Sequence, residues 1–379
     1  MNVAAIAARD SIDEISCALD RLAAQAAQYY SPRVQAARVL VVVKDSLGEH
    51  ARMFRLGASF EAQASADSTA AADAVVTVTH ETLEAILASP TTFDVRSRQF
   101  DGRIAMTGDT QAAQHLLQLL KRPSEGSMAR LARARAHAPE WLPWVPEVSG
   151  VNVEARTVLD AVLASRPLVV RSALDWPACG WTLDEFAARY GDAQLAGGDD
   201  GRVVSMRGFI ASLQAACAST AASGGESSAP YTHGCLLPTM LEPLFPFPYF
   251  KLAAFSSAQI WAGARRDDAL VTRLHCDVTT SFLAQVHGRK RVRLFSPVEH
   301  ERLYAMPSYN FYQPCCVDAG QPDLARFPEF AQARYVDVVV GPGDLLIVPT
   351  GWYHCVWALD HVLSVSRFLV DELAAYFFA

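Results

Sequence analysis

At 379 residues the chain is too long for one ordinary domain and suits two, and a 51% hydrophobic content is ample for two cores. The formal charge of −7 and isoelectric point of 5.8 argue against general nucleic-acid affinity. No apolar run of about 18 residues is present, so no membrane-spanning helix is expected, and Met1-Asn2-Val3-Ala4-Ala5-Ile6-Ala7-Ala8-Arg9-Asp10 lacks the charged start and continuous apolar stretch of a secretory signal. The eight cysteines are scattered, with no Cys-x-x-Cys pair to suggest zinc. In a reducing compartment they are thiols, and a cytoplasmic enzyme fits these features.

The chain opens with Ile12, Ile15, Leu19 and Leu22 at helical spacing behind an Asp10/Ser11 start, which predicts an amphipathic helix over 11–30. Strands are expected at 38–44, 52–58 and 74–79, then a helix over 80–88, a strand over 99–107 and a closing helix over 109–121. This is an α+β layout for a first domain, 1–121. The segment Asp73-Ala74-Val75-Val76-Thr77-Val78-Thr79, the helix after it, and Phe100-Asp101-Gly102-Arg103-Ile104-Ala105-Met106-Thr107-Gly108-Asp109 resemble the sterol-carrier-protein-like lipid-transfer domain. That resemblance implies an apolar tunnel for an acyl chain or another greasy ligand. The alternative is that the same positions fill a small core or dock onto the next domain.

Residues 122–140, with Pro123, Ser124, Gly126 and a run of Ala and Arg, read as a linker containing a short basic helix. The second domain, 141–379, opens with Trp141-Leu142-Pro143-Trp144-Val145-Pro146, a helix near 153–164 and a strand over 167–171. Thr182 with Glu185 three residues on makes a capping box at the start of another helix. The Ala-, Ser- and Gly-rich stretch 215–229 reads as a mobile loop before Tyr231.

The stretch Thr272-Arg273-Leu274-His275-Cys276-Asp277 carries the chemistry, together with the distant Pro349-Thr350-Gly351-Trp352-Tyr353-His354. Residues two apart on a strand share a face, so His275 and Asp277 can both point into a barrel while Cys276 points away. Two imidazoles and one carboxylate on one face of a metal leave three positions open, as in non-haem Fe(II) oxygenases. Between these stretches, 281–297 reads as two strands around a turn at Gly288, with Lys290 opening the second. Then come a strand, the turn Gly341-Pro342-Gly343-Asp344 and another strand whose end carries His354, and a β-rich run follows at 362–368.

With its His-x-Asp triplet, Gln-Val-x-Gly-x-Lys segment, Gly-Pro-Gly-Asp-x-Leu-x-x-Pro turn and Trp-Tyr-His ending, the region from about 142 to 371 resembles the Jumonji-C group of the cupin superfamily. The likeness is to the protein-hydroxylase branch that includes the asparaginyl hydroxylase acting on hypoxia-inducible factor. It implies a mainly β, double-stranded jelly-roll barrel with flanking helices behind the α+β lipid-transfer-like domain. It also implies that His275, Asp277 and His354 bind Fe(II), and that 2-oxoglutarate meets Lys290 and Thr272 through its far carboxylate, with Tyr231 at the same end. Oxygen is then the co-substrate, and decarboxylation to succinate is coupled to oxidation of a C–H bond. Ser281 and Ser366 stand near the cofactor where that branch has asparagines.

Plainer roles exist for each residue. The ligand set can be satisfied polar groups of a barrel core, Lys290 a solvated turn lysine, and Thr272 a β-former. His287, His300 and His361 are expected as surface or strand-end residues, and Trp352, Tyr353 and Trp357 as wall and core aromatics. The leading expectation is hydroxylation of an amino-acid side chain in a protein, peptide or small molecule. Oxidation of a lipid-like or natural-product metabolite, and a catalytically silent protein that binds an apolar ligand, stay open beside it. Histone-type lysine demethylation ranks lower because no chromatin-reading module is visible, and homodimerisation is left open.

Overall fold

The computed structural model describes the chain apart from residues 1–2, 34, 47, 64–71, 96–101, 151–152, 198–201, 221–229, 233, 265–268 and 371–379. It divides into two compact units, Met1–Glu125 with Met306–Cys316, and Gly126–Ala305 with Val317–Ala379. The stretch read as a linker over 122–140 thus lies, from Gly126 on, in the second unit, and the first takes in a segment from far downstream.

The first unit runs α1 (Val3–Gln28), β1 (Ala37–Lys44), β2 (Glu49–Leu56), β3 (Phe60–Gln63), β4 (Ala74–Thr79), α2 (His80–Ala88), β5 (Ile104–Gly108) and α3 (Thr110–Gln118). Helix α1 begins well before the expected residue 11, because the Ala-rich start has high helix propensity and no breaker. Its buried stripe is Ile15, Ala18, Leu19, Leu22 and Ala26, whereas Ile12 is exposed. The sheet order is β3-β2-β1-β4-β5, with β1 parallel to β4 and antiparallel to β2. Val39, Val41 and Val43 of β1 join the stripe of α1 and residues of α2 and α3 in one core, so all three helices cover the same face. Leu40 and Val42 pack with Met53 on the other. Burial on both faces explains why β1 reads as a continuous apolar run. The expected strand over 99–107 appears as β5, and residues 99–101 lie outside the described ones. From the inserted segment Met306 enters the same core, and the Asn310 amide donates to the Phe93 carbonyl at 2.8 Å.

The second unit contains α4 (Glu125–His137), β6 (Glu147–Ser149), α5 (Ala155–Leu163), β7 (Leu168–Arg171), α6 (Leu183–Tyr190), β8 (Gln194–Gly197), β9 (Arg202–Ser205), α7 (Met206–Thr220), β10 (Cys235–Leu236), β11 (Gln259–Gly263), β12 (Thr272–Asp277), β13 (Ser281–His287) and β14 (Lys290–Phe295). After β15 (Tyr312–Pro314), which belongs to the inserted segment, come β16 (Tyr335–Val340), β17 (Leu345–Val348), β18 (Tyr353–Ala358) and β19 (Val362–Phe368). Helix α6 starts on the expected capping box, with Thr182 and Glu185 bonding reciprocally. Helix α7 runs to Thr220, so the first part of the stretch read as a loop is helical, and 221–229 lie outside the described residues. His354 sits one residue into its own strand, β18, rather than at the end of the preceding one.

Two sheets face each other as a jelly-roll sandwich. One has the order β10-β11-β19-β13-β17-β7-β6, and the other sets β12, β18, β14 and β16 side by side. Alternation sorts their residues. Phe282, Ala284 and Val286 of β13 turn outward beneath Val158, Phe186 and Phe209 of the helices. Val292, Leu294 and Val356 of one sheet meet Leu346, Val348 and Val362 of the other in the interior. The hairpin between β13 and β14 turns at Gly288, whose φ is 66°, and a Cβ there would lie 2.0 Å from the His361 carbonyl oxygen. Only glycine fits that turn.

Candidate metal centre

His275 and His354 are direct partners across β12 and β18, so both imidazoles project from the inner face, and Asp277 follows two residues after His275. One donor atom from each of the three lies within 4.8 Å of the others, the single such group of metal-ligating side chains among the described residues. Asp277 Oδ1 is 3.9 Å from His275 Nε2, and Oδ2 is 3.8 Å from His354 Nε2. Each Nδ1 instead meets a main-chain carbonyl two residues earlier, Arg273 O at 2.8 Å for His275 and Trp352 O at 3.1 Å for His354. A carbonyl only accepts, so Nδ1 carries the proton and Nε2 offers its lone pair to the shared space. Burial pushes the His354 imidazole down to about 4, with His275 adding to the effect and Asp277 opposing it. His354 is therefore neutral near pH 7, the form that binds a metal. Two imidazoles that turn Nε2 to the shared space and a carboxylate, in half-buried positions, fit a divalent transition ion.

Thr272 lies three residues before His275, where strict alternation would turn it outward. A β-bulge between the two shifts the register, pairing Thr272 with Val356 while His275 pairs with His354. Val356 and His354 share the inner face of β18, and so therefore do Thr272 and His275. Bulges re-aim side chains in this way beside functional sites.

Lys290 opens β14 opposite Ala358, on the same inner face as Leu294, which pairs with His354. It is 2% exposed, and its Nζ stands 3.1 Å from the Tyr231 hydroxyl and 5.6 Å from the centre of that ring. Desolvation alone pushes the ammonium from its usual 10.5 to about 7. A buried cation with a phenol for company, and no carboxylate of the described residues to offset its desolvation, fits the binding of an anionic group.

Ser281 and Ser366 are both buried on the inner-face register of β13 and β19, Ser366 pairing with Leu283. The Ser366 hydroxyl accepts the Trp261 indole N–H at 2.7 Å, a contact the sequence reading did not anticipate. Gln285 is fully buried. Its amide donates to the carbonyls of His287 at 2.7 Å and Gly288 at 2.8 Å, and its oxygen accepts from Ser364 at 2.7 Å. One side chain thus pins the turn that launches Lys290.

Cys276 and Cys355 turn away from the triad and are fully buried. Trp352, Tyr353 and Trp357 are core aromatics, each at most 4% exposed, and the Trp352 indole donates to the Ser165 carbonyl. His287, His300 and His361 join no metal-ligating group among the described residues.

Comparison with known proteins finds similarity within this unit. Residues 242–369 match the family described as the cupin-like domain. Over 96 residues the chain is 42% identical to Lysine-specific demethylase 8 of Xenopus tropicalis, covering 25% of this chain and 22% of that protein. It is 35% identical over 106 residues to JmjC domain-containing protein D of Dictyostelium discoideum, or 28% of this chain and 23% of that one. It is also 39% identical over 94 residues to tRNA wybutosine-synthesizing protein 5 of Danio rerio, 25% of this chain and 28% of the relative. The chain thus spans between 22% and 28% of the length of these curated relatives. Residues 242–369 thus carry a cupin-like domain within a jelly-roll fold, similar over about a quarter of the chain to the proteins just named.

Proposed function

We propose that this domain is an Fe(II)- and 2-oxoglutarate-dependent oxygenase that hydroxylates an amino-acid side chain in a protein, peptide or small molecule. The observation that carries the reading is one inner face presenting both a His-Asp-His donor set and a desolvated lysine beside a tyrosine hydroxyl. His275, Asp277 and His354 hold the ion from one side and leave the other side open. Lys290 and Tyr231, with Thr272 on the same face, receive the far carboxylate of the cosubstrate, and Ser281 and Ser366 line the wall between. When bound, iron and 2-oxoglutarate supply oxygen activation, with release of succinate and carbon dioxide and oxidation of a substrate C–H bond. The valine- and leucine-lined interior keeps bulk water from the reacting centre.

A second reading applies the same chemistry to an N-methyl carbon, favoured by the name of the lysine-specific demethylase to which this chain is 42% identical over 96 residues. Succinate formation from 2-oxoglutarate with Fe(II) and oxygen tests the class. Mass spectrometry of a converted substrate then separates the readings by gain of one oxygen atom or loss of one methyl group. No iron-dependent succinate, with retained binding of an apolar probe, would instead favour a catalytically silent binding protein.

For the first unit we propose a sterol-carrier-like role in holding an apolar ligand. Its support is the strand order β3-β2-β1-β4-β5 with three helices over one face. Displacement of a fluorescent fatty acid tests it, and a protein that never takes up the probe has a filled core instead.

A further inference from the structure

Strand β11 sends Ile260 and Ala262 outward to the helix-covered core, so Gln259, Trp261 and Gly263 face the interior. Gly263 forms an isolated antiparallel bridge with Tyr231. A Cβ on Gly263 would stand 2.1 Å from Tyr231 Cδ2, 3.0 Å from its Cγ and 2.8 Å from the Pro230 carbonyl oxygen. Its φ is not among the positive ones, so the backbone itself would accept any residue. Space is what requires glycine here, and a glycine inside a strand often marks such a close approach. Gly234 differs: a Cβ there would meet the Trp261 ring at 2.5 Å, but its φ of +73° already calls for glycine.

Tyr231 is 1% exposed, and from its seat over Gly263 its hydroxyl reaches Lys290 Nζ at 3.1 Å. We propose that Gly263 is a positioning residue for the oxoacid cosubstrate: its missing side chain seats the Tyr231 ring, which sets the hydroxyl beside the lysine and completes the carboxylate-binding end. The proposal rests on the reading of Lys290 and Tyr231 given above. Gly263 bridges Tyr231 and pairs with Val362, and it acts through the tyrosine.

The test measures calorimetric binding of 2-oxoglutarate to the full chain loaded with Mn(II) under anaerobic conditions, alongside turnover with Fe(II). Gly263→Ala should weaken 2-oxoglutarate about tenfold, close to the loss in Tyr231→Phe, while Mn(II) affinity and kcat at saturating cosubstrate stay within about twofold. Adding Gly263→Ala to Tyr231→Ala should change the affinity less than about twofold, because the clash with the ring has been removed and only the contact with the Pro230 carbonyl oxygen is left. Wild-type affinity in Gly263→Ala beside a weakened Tyr231→Phe overturns the positioning role alone, as do losses that multiply in the double variant. Unchanged affinity in both Tyr231→Phe and Lys290→Ala instead overturns the underlying carboxylate reading, and this inference with it. If Gly263→Ala fails to fold, the double variant decides: folding with the affinity of Tyr231→Ala supports the seat, and folding with a clearly weaker affinity than Tyr231→Ala overturns it.

Discussion

Binding of 2-oxoglutarate should take up a proton above neutral pH, and Lys290 is the reason. Burial lowers its ammonium from the usual 10.5 to about 7. Between those values the unfolded chain carries the proton and the folded one does not, so stability without cosubstrate rises with pH across this window. The gap of about 3.5 pH units at 1.36 kcal/mol each amounts to about 5 kcal/mol. A carboxylate placed against Nζ favours the charged form again, so above pH 7 the lysine must regain its proton on binding. Affinity should therefore be flat below about pH 7 and fall by up to about tenfold per pH unit above it. Calorimetry of 2-oxoglutarate onto Mn(II)-loaded protein, in buffers of different ionisation heat, reads the proton count directly. Uptake should be near zero at pH 6 and approach one proton by pH 9, and Lys290→Met should abolish the dependence along with most of the affinity. An uptake absent throughout, or unchanged in Lys290→Met, would refute the placement of the anion at this lysine.

Asp277→Ala or His354→Ala should remove stoichiometric iron and all iron-dependent succinate formation, while the melting temperature of the metal-free protein stays within a few degrees; metal analysis and calorimetry check both. Gly288→Ala places a methyl group 2.0 Å from the His361 carbonyl oxygen at a φ of +66°, so chemical denaturation should show a loss of about 2 kcal/mol or more. Gln285→Leu strands the two carbonyls that hold the same turn, and should cost about 2–4 kcal/mol in denaturant titrations as well as raising the KM for 2-oxoglutarate. Phe282→Ala empties a fully buried site where the ring meets Phe255 edge-on at 5.2 Å, and should cost about 3–5 kcal/mol in the same titrations while sparing the geometry of the triad.

What could be read from the chain beforehand follows from whether the cause is local. His275 and Asp277 share a face by alternation alone, and β4, α2 and β19 occupy the stretches their residue patterns predict, because period-two and period-3.6 signals need only neighbours in sequence. Thr272 is different. Its inward aim comes from a register shift against β18, and no pattern within Thr272–Asp277 announces a bulge. The seat of Tyr231 is less local still, since it depends on a glycine more than thirty residues away that becomes its neighbour only when β11 is in place. Likewise Met306–Cys316 looks like ordinary loop sequence, yet its methionine completes the core of the first unit, a partnership set by long-range packing. The only sequence trace of the Gly263 seat is a glycine ending the otherwise β-prone run Gln259–Gly263, a weak signal that becomes specific once a bulky ring is found where its side chain would be.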